Sequence, residues 1–159
     1  STEPEKEKTD SLTFEEEQRQ RTEKYAAEQN AKRDEIAEEV IRLTNAEREK
    51  AGLNPLEMDD SLMKAADVRV KEMGESFSHT RPDGSKYITA AQEAGYSGSY
   101  VGENGSAGKS TAEYIVSSWM NSEGHRENIL NPNYNYIGVA YNYNIGSEYG
   151  SYCVQIFAR

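Results

Sequence analysis

Apolar positions recur at helical spacing through most of this chain and change to simple alternation only near its end. The stretch "FEEEQRQRTEKYAAEQNAKRDE" follows Thr13, which forms a capping-box signature with Glu16. It is rich in good helix formers yet has few apolar residues, so residues 13–35 are expected to form a mostly exposed helix leading into the next one. From Ile36 the pattern is firm. Ile36, Val40, Leu43 and Ala46 recur one helical turn apart, Ala37 and Ile41 flank them, and Gly52 supplies the stop.

Three further helices follow. One is capped by Asp59 or Asp60, buries Leu62, Ala65, Ala66, Val70 and Met73, and ends near Gly74. A short one after "PDG" takes Ser85 as its cap, turns Ile88 and Ala91 inward and stops at Gly95. In the last, Ser110 and Glu113 make a capping box. Ala112, Ile115, Val116, Trp119 and Met120 keep one apolar face, which makes Trp119 a core anchor.

After Asn131-Pro132 the period becomes two. "YIGVAYNYN" and "SYCVQIFA" read as antiparallel strands joined by the turn-forming "IGSEYG". Helices first and strands last, without repeated βα units, predict an α+β fold.

Composition narrows the partners. The 159 residues fit one domain with its own core, and the net charge is -10, with the acidic excess heaviest in the first forty positions. Such a chain lacks the clustered Lys and Arg that nucleic acid demands, and no apolar stretch is long enough to form a transmembrane segment. Residues 1–12, from "STEPEKEKTD" onward, read as a disordered acidic linker. The single cysteine, Cys153, excludes an internal disulfide and is expected to be a buried apolar side chain.

Candidate chemistry rests on two histidines, His79 in "ESFSHTRPDGS" and His125 in "SSWMNSEGHRENIL". His125 lies at the start of a short helical turn capped by Ser122. Spacing alone makes them no site: there is no His-x-x-x-His pair, no cysteine cluster and no Gly-x-Ser-x-Gly elbow. Arg81, two residues beyond His79, is either a solvated loop charge or a contact for an anionic ligand group.

Read together, "LTNAEREKAGLNPLEMDDSLMKAADVRVKEM", "FSHTRPDG", "GYSGSYVGENGSAG", "SSWMNSEGHRENILNPNYNYIGVAY" and "YCVQIF" occur in an order that resembles the CAP superfamily. That superfamily comprises cysteine-rich secretory, antigen 5 and pathogenesis-related proteins. The resemblance covers residues 36–159 and is to its cysteine-poor bacterial, SCP-like extracellular branch. It implies an α-β-α sandwich with a small antiparallel sheet between helical layers, here preceded by an extra N-terminal helix. It also implies a central cleft where His79 and His125 meet beside Glu103 of "GEN".

Two departures stand out. Relatives with a fuller acidic cluster carry a glutamate where this chain has Ser122, and Glu123 comes one residue later, rotated by about 100° on a helix. Gly105-Ser106 replace a usual apolar residue, which is expected to loosen that strand.

The resemblance leaves three readings open. The favoured one is an exported, non-enzymatic module, extracellular or at the cell surface after loss of a signal peptide. Its cleft of His79, Glu103 and His125, with Ser122, Glu123 and Arg81 as outer candidates, would bind a small ligand, a lipid, a cell-wall component or a zinc ion held by His79 and His125. The second is a zinc-dependent hydrolase acting on peptide or cell-wall material. The third is a structural cell-surface module.

Overall fold

The computed structural model describes residues 11–159. Most of the expected acidic linker, residues 1–10, therefore lies outside the described residues. Helix α1 (Phe14–Ala31) opens with the capping box expected at Thr13 and Glu16: the Thr13 hydroxyl accepts from the Glu16 amide, and the Glu16 carboxylate accepts from the Thr13 amide. Polar on every side, α1 buries Ala26 and touches the rest of the molecule through its last turns.

Helix α2 (Arg33–Lys50) follows after a break at Lys32, so the boundary expected at residue 36 falls inside this helix. Its buried stripe is Ala37, Val40, Thr44 and Arg48, turned from the expected one so that Ile36, Leu43 and Ala46 are half-buried. Arg48 explains the shift. Its guanidinium donates to the carbonyls of Asn54, Ile129, Asn131 and Tyr134, drawing that edge of the helix inward.

The short strand β1 (Glu57–Met58) leads into α3 (Asp60–Glu75), capped by Asp59 and burying Leu62, Ala65, Ala66, Val70 and Met73 as expected. In the short α4 (Ile88–Glu93), the cap position is Tyr87 and the inward residues are Ala90 and Ala91. Ser85 instead bonds Asp83 and Thr89, and Ile88 remains half-buried. After strand β2 (Val101–Ala107), α5 (Ala112–Met120) takes Thr111 rather than Ser110 as its cap, through the Tyr114 amide. Helix α6 (Glu123–Ile129) and strands β3 (Tyr136–Tyr143) and β4 (Ser151–Ala158) complete the chain.

The sheet runs β1-β3-β4-β2. The β3–β4 and β4–β2 pairs are antiparallel, as expected, and β1 adds a two-residue parallel pair to β3. Because side chains alternate along a strand, β4 feeds two cores. Cys153 and Phe157 pack with Trp119, Ile115 and Val40 under α2 and α5. Tyr152, Val154 and Ile156 pack with Leu62, Val70 and Ala91 under α3 and α4. This is a helix–sheet–helix sandwich. Gly138 lets α3 lie almost on the sheet: a Cβ there would stand 2.1 Å from the Leu62 carbonyl carbon.

Candidate functional site

The site straddles β2, the edge strand. Glu103 projects toward α3, where its carboxylate meets Arg69, a residue on the apolar face of that helix. Arg69 Nε donates to Oε2 at 2.8 Å and Nη2 donates to Oε1 at 3.0 Å, and both side chains are fully buried. Arg69 Nη2 also donates to the Ser78 carbonyl at 2.7 Å, which fixes the loop leaving α3. Burial pulls the guanidinium pKa down, but hydrogen bonds and charge from Glu103 and Glu72 outweigh it and hold the pKa above its ordinary value.

That loop delivers His79. Its Nδ1 lies 2.8 Å from Glu103 Oε1, and its ring meets Tyr87 edge-on at 5.8 Å between centroids. A carboxylate already accepting from Arg69 takes a proton donor on its other side, so Nδ1 donates in this contact and Nε2 is the ring nitrogen turned away from Glu103. His79 remains half open to solvent.

His125 arrives from the opposite layer, in the first turn of α6. Its carbonyl accepts from Asn104 Nδ2 at 3.0 Å, and the same amide donates to Gln155 Oε1 at 2.9 Å. Gln155 in turn donates to Thr44, and Asn128 donates to Asn104 Oδ1. This buried polar chain ties α2, β4, β2 and α6 together, so the position of His125 is set by the core. Burial, then the neighbouring His79 and Lys109, push the His125 pKa below the usual imidazole value.

The two imidazoles line one cleft of about 230 Å³, with Met73, Phe77, Ser78 and Gly105 completing its wall. Gly105 keeps it open, since a Cβ there would come within 3.0 Å of Met73 Cε. The strand is not loosened at Gly105-Ser106: β2 pairs with β4 through all seven residues. Trp119 reinforces it by donating Nε1–H to the Gly105 carbonyl at 3.0 Å from its buried position in the core.

The outer candidates fare differently. Ser122 is the N-cap residue of α6, makes no side-chain capping bond and lines an adjoining hollow. Glu123 is exposed at the helix start, as its one-residue offset implies. Arg81 is neither a solvated charge nor a cleft residue. It is buried, with Nε on both Glu72 oxygens and Nη1 on Thr89 and Glu93.

A catalytic zinc centre uses three protein ligands and an open position. Here the third candidate, Glu103, has both oxygens engaged by Arg69 and His79, and a fully buried guanidinium stands behind it. Among the described residues, no group of three or more His, Cys, Asp or Glu side chains could hold a metal ion. Only the two imidazoles remain as donors, so the residues do not fit a zinc site with three protein ligands.

Sequence reading missed Arg69, Arg48 and the Asn104–Gln155 chain. Arg69 had a signal: it sits three residues after Ala66 and four before Met73, a charge inside an apolar stripe. Arg48 likewise continues the Val40–Thr44 row by one turn. Gln155 had none beyond its place on a strand.

A three-layer sandwich with two histidines lining one cleft beside a "GEN" edge strand is the arrangement of a CAP-type domain. The family model for the cysteine-rich secretory protein family, CAP, matches residues 41–157, and the chain belongs to that family. The uncharacterized protein YkwD of Bacillus subtilis is 45% identical over 104 residues, 64% of this chain and 40% of that relative. The chain thus spans less than half the length of that relative. An extracellular protein of Bacillus anthracis containing an SCP domain superposes with a TM-score of 0.72 at 25% identity, covering 95% of this chain and 45% of that one. An outer surface protein of Borrelia burgdorferi superposes with a TM-score of 0.69, also at 25% identity, covering 77% of this chain and 91% of that one. No described helix is long and apolar enough to cross a membrane.

Proposed function

We propose that this is an exported, ligand-binding CAP module whose cleft between His79 and His125 takes a small molecule or a cell-wall component without catalysing a reaction. The observation that carries it is the state of Glu103. A carboxylate gripped by a buried arginine and tied to His79 Nδ1 is a positioning group: it orients the His79 ring, and both of its oxygens are already engaged. His79 Nε2 and the uncharged His125 ring are then the polar groups offered to a ligand, beside the apolar Met73 and Phe77.

A hydrolase lacks support from the same geometry, since the donor set among the described residues stops short of a zinc site and no activated hydroxyl stands in the cleft. Export rests on the extracellular and outer-surface descriptions of the similar structures. Residues 36–159 serve as the binding domain. The polar α1, within residues 13–35, holds to this domain by its last turn, where Gln29 and Asn30 bond to Tyr141 and Tyr143 of β3.

The test is thermal unfolding with a soluble digest of bacterial cell wall. A ligand that binds only the folded chain raises Tm with concentration. The expected result is a saturable rise that disappears in the double variant His79→Gln/His125→Gln, with no new reducing ends or amines released. Equal rises in both proteins, or release of fragments by the native chain alone, would refute the reading.

A further inference from the structure

No acidic side chain lines the cleft, nor the hollow of about 340 Å³ that adjoins it across Gly105 and His125, although Asp and Glu supply 28 of the 159 residues. The hollow carries the opposite sign. Lys109 lines it and, among the described residues, has no carboxylate within ion-pair distance; its ammonium stands 5.4 Å from the centroid of the Tyr114 ring.

A second observation comes from Ser106. Its hydroxyl is the one buried side-chain polar atom among the described residues without a hydrogen-bond partner, and Ser106 lines this hollow. Leaving such a group unpaired costs on the order of 1–3 kcal/mol, so a native structure keeps it for a reason. At the rim Phe77 and Tyr149, each 49% exposed, meet edge-on at 6.3 Å.

Aromatic faces at a rim, a hydroxyl floor and one unpaired cation match a sugar ring with an anionic substituent. The apolar face of the ring packs on aromatic carbon and its hydroxyls find hydroxyl partners. Its charge meets an ammonium ion where no carboxylate competes. An extended peptide fits less well, because strand addition needs free edge carbonyls. Those of Val101, Glu103 and Gly105, alternate residues along β2, already accept from Tyr87, Asn128 and Trp119.

We propose that the cleft and the hollow form one groove for an anionic saccharide, with its charged substituent at Lys109 and the Ser106 hydroxyl bonding to it. This rests on the reading of the His79–His125 cleft as a ligand site and names the ligand's chemical class.

The experiment is calorimetric titration of the full chain with tetragalacturonate, with its fully methyl-esterified form and with sodium sulfate alone. The acid form is expected to bind at least ten-fold more tightly than the ester, to weaken with added salt, and to lose at least ten-fold in Lys109→Met. Ser106→Ala weakens it several-fold although the Tm of the free chain does not fall, because an unpaired buried hydroxyl is removed, and Tyr149→Ala weakens it several-fold. Sulfate binding as tightly as the acid would mean an adventitious ion only and overturn the saccharide. The ester binding as tightly as the acid, with a loss in His79→Gln/His125→Gln but none in Lys109→Met, would overturn the anionic groove and leave the cleft reading intact. No binding of either saccharide overturns the proposal, and the cleft reading then stands or falls on its own cell-wall titration.

Discussion

Arg69 and Glu103 face each other with Nε–Oε2 at 2.8 Å and Nη2–Oε1 at 3.0 Å, neither side chain open to solvent. This pair joins α3 to the edge strand and sets the loop that presents His79, so the geometry of the site is inherited from a buried ion pair. Breaking such a pair from one side strands a charge and costs about 3–5 kcal/mol, whereas replacing both partners with apolar residues costs far less. Arg69→Met is therefore expected to be severely destabilising in urea unfolding, and Arg69→Met/Glu103→Leu markedly less so. Additive losses in the two single variants and the double variant would refute the coupling.

His125 makes stability depend on pH. With its folded-state pKa pushed below the unfolded value, the unfolded chain binds more protons between the two midpoints, and stability rises with pH there. Its contribution is complete above the ordinary imidazole range, near 6.5, and is lost as pH falls through the depressed folded value. His125→Asn should flatten part of that fall. Urea unfolding of both proteins from acid to neutral pH checks this, and parallel curves would contradict it.

Arg48 holds four carbonyls, those of Asn54 before β1, Ile129 at the end of α6, and Asn131 and Tyr134 between α6 and β3, and burial lowers its pKa. A lysine cannot reproduce that planar fork, and each buried carbonyl left unpaired costs roughly 1 kcal/mol or more. Arg48→Lys is expected to lose about 3 kcal/mol in chemical unfolding, with faster amide exchange at Asn131–Tyr134. Unchanged stability would show that the carbonyls find other partners.

Gly138 permits the contact between α3 and the sheet. A methyl group there meets the Leu62 carbonyl and the Met63 amide nitrogen at 2.1–2.5 Å, backbone atoms that cannot turn aside. Gly138→Ala should cost more than about 3 kcal/mol, beyond the usual penalty for overpacking, and lower the yield of folded protein. A Tm within a few degrees of the native chain would contradict the packing.

Much of the fold was legible. The apolar stripe of α3, the capping box at Thr13 and the alternation of β3 and β4 were each set by local pattern, and each formed as expected. Legibility failed where polar residues took core positions. Thr44 and Arg48 rotated the buried face of α2 away from the one its aliphatic residues marked. Caps slipped at Ser85 and Ser110, where a neighbour could equally begin the helix. For the candidate site, motif order singled out His79, His125 and Glu103; the structure puts the two imidazoles on one cleft and Glu103 behind His79. The engagement of Glu103 by Arg69 depends on the angle at which α3 crosses the sheet, which no local pattern carries. Arg81 misled for the same reason: its partners Glu72 and Glu93 lie on two different helices.

The convergence of the two imidazoles is tested most directly by their NMR titrations. Charge on His79 is one of the influences holding His125 down, so in His79→Gln the His125 midpoint should move up toward that of a free imidazole. An unchanged His125 midpoint in that variant would mean that the rings do not share a cleft.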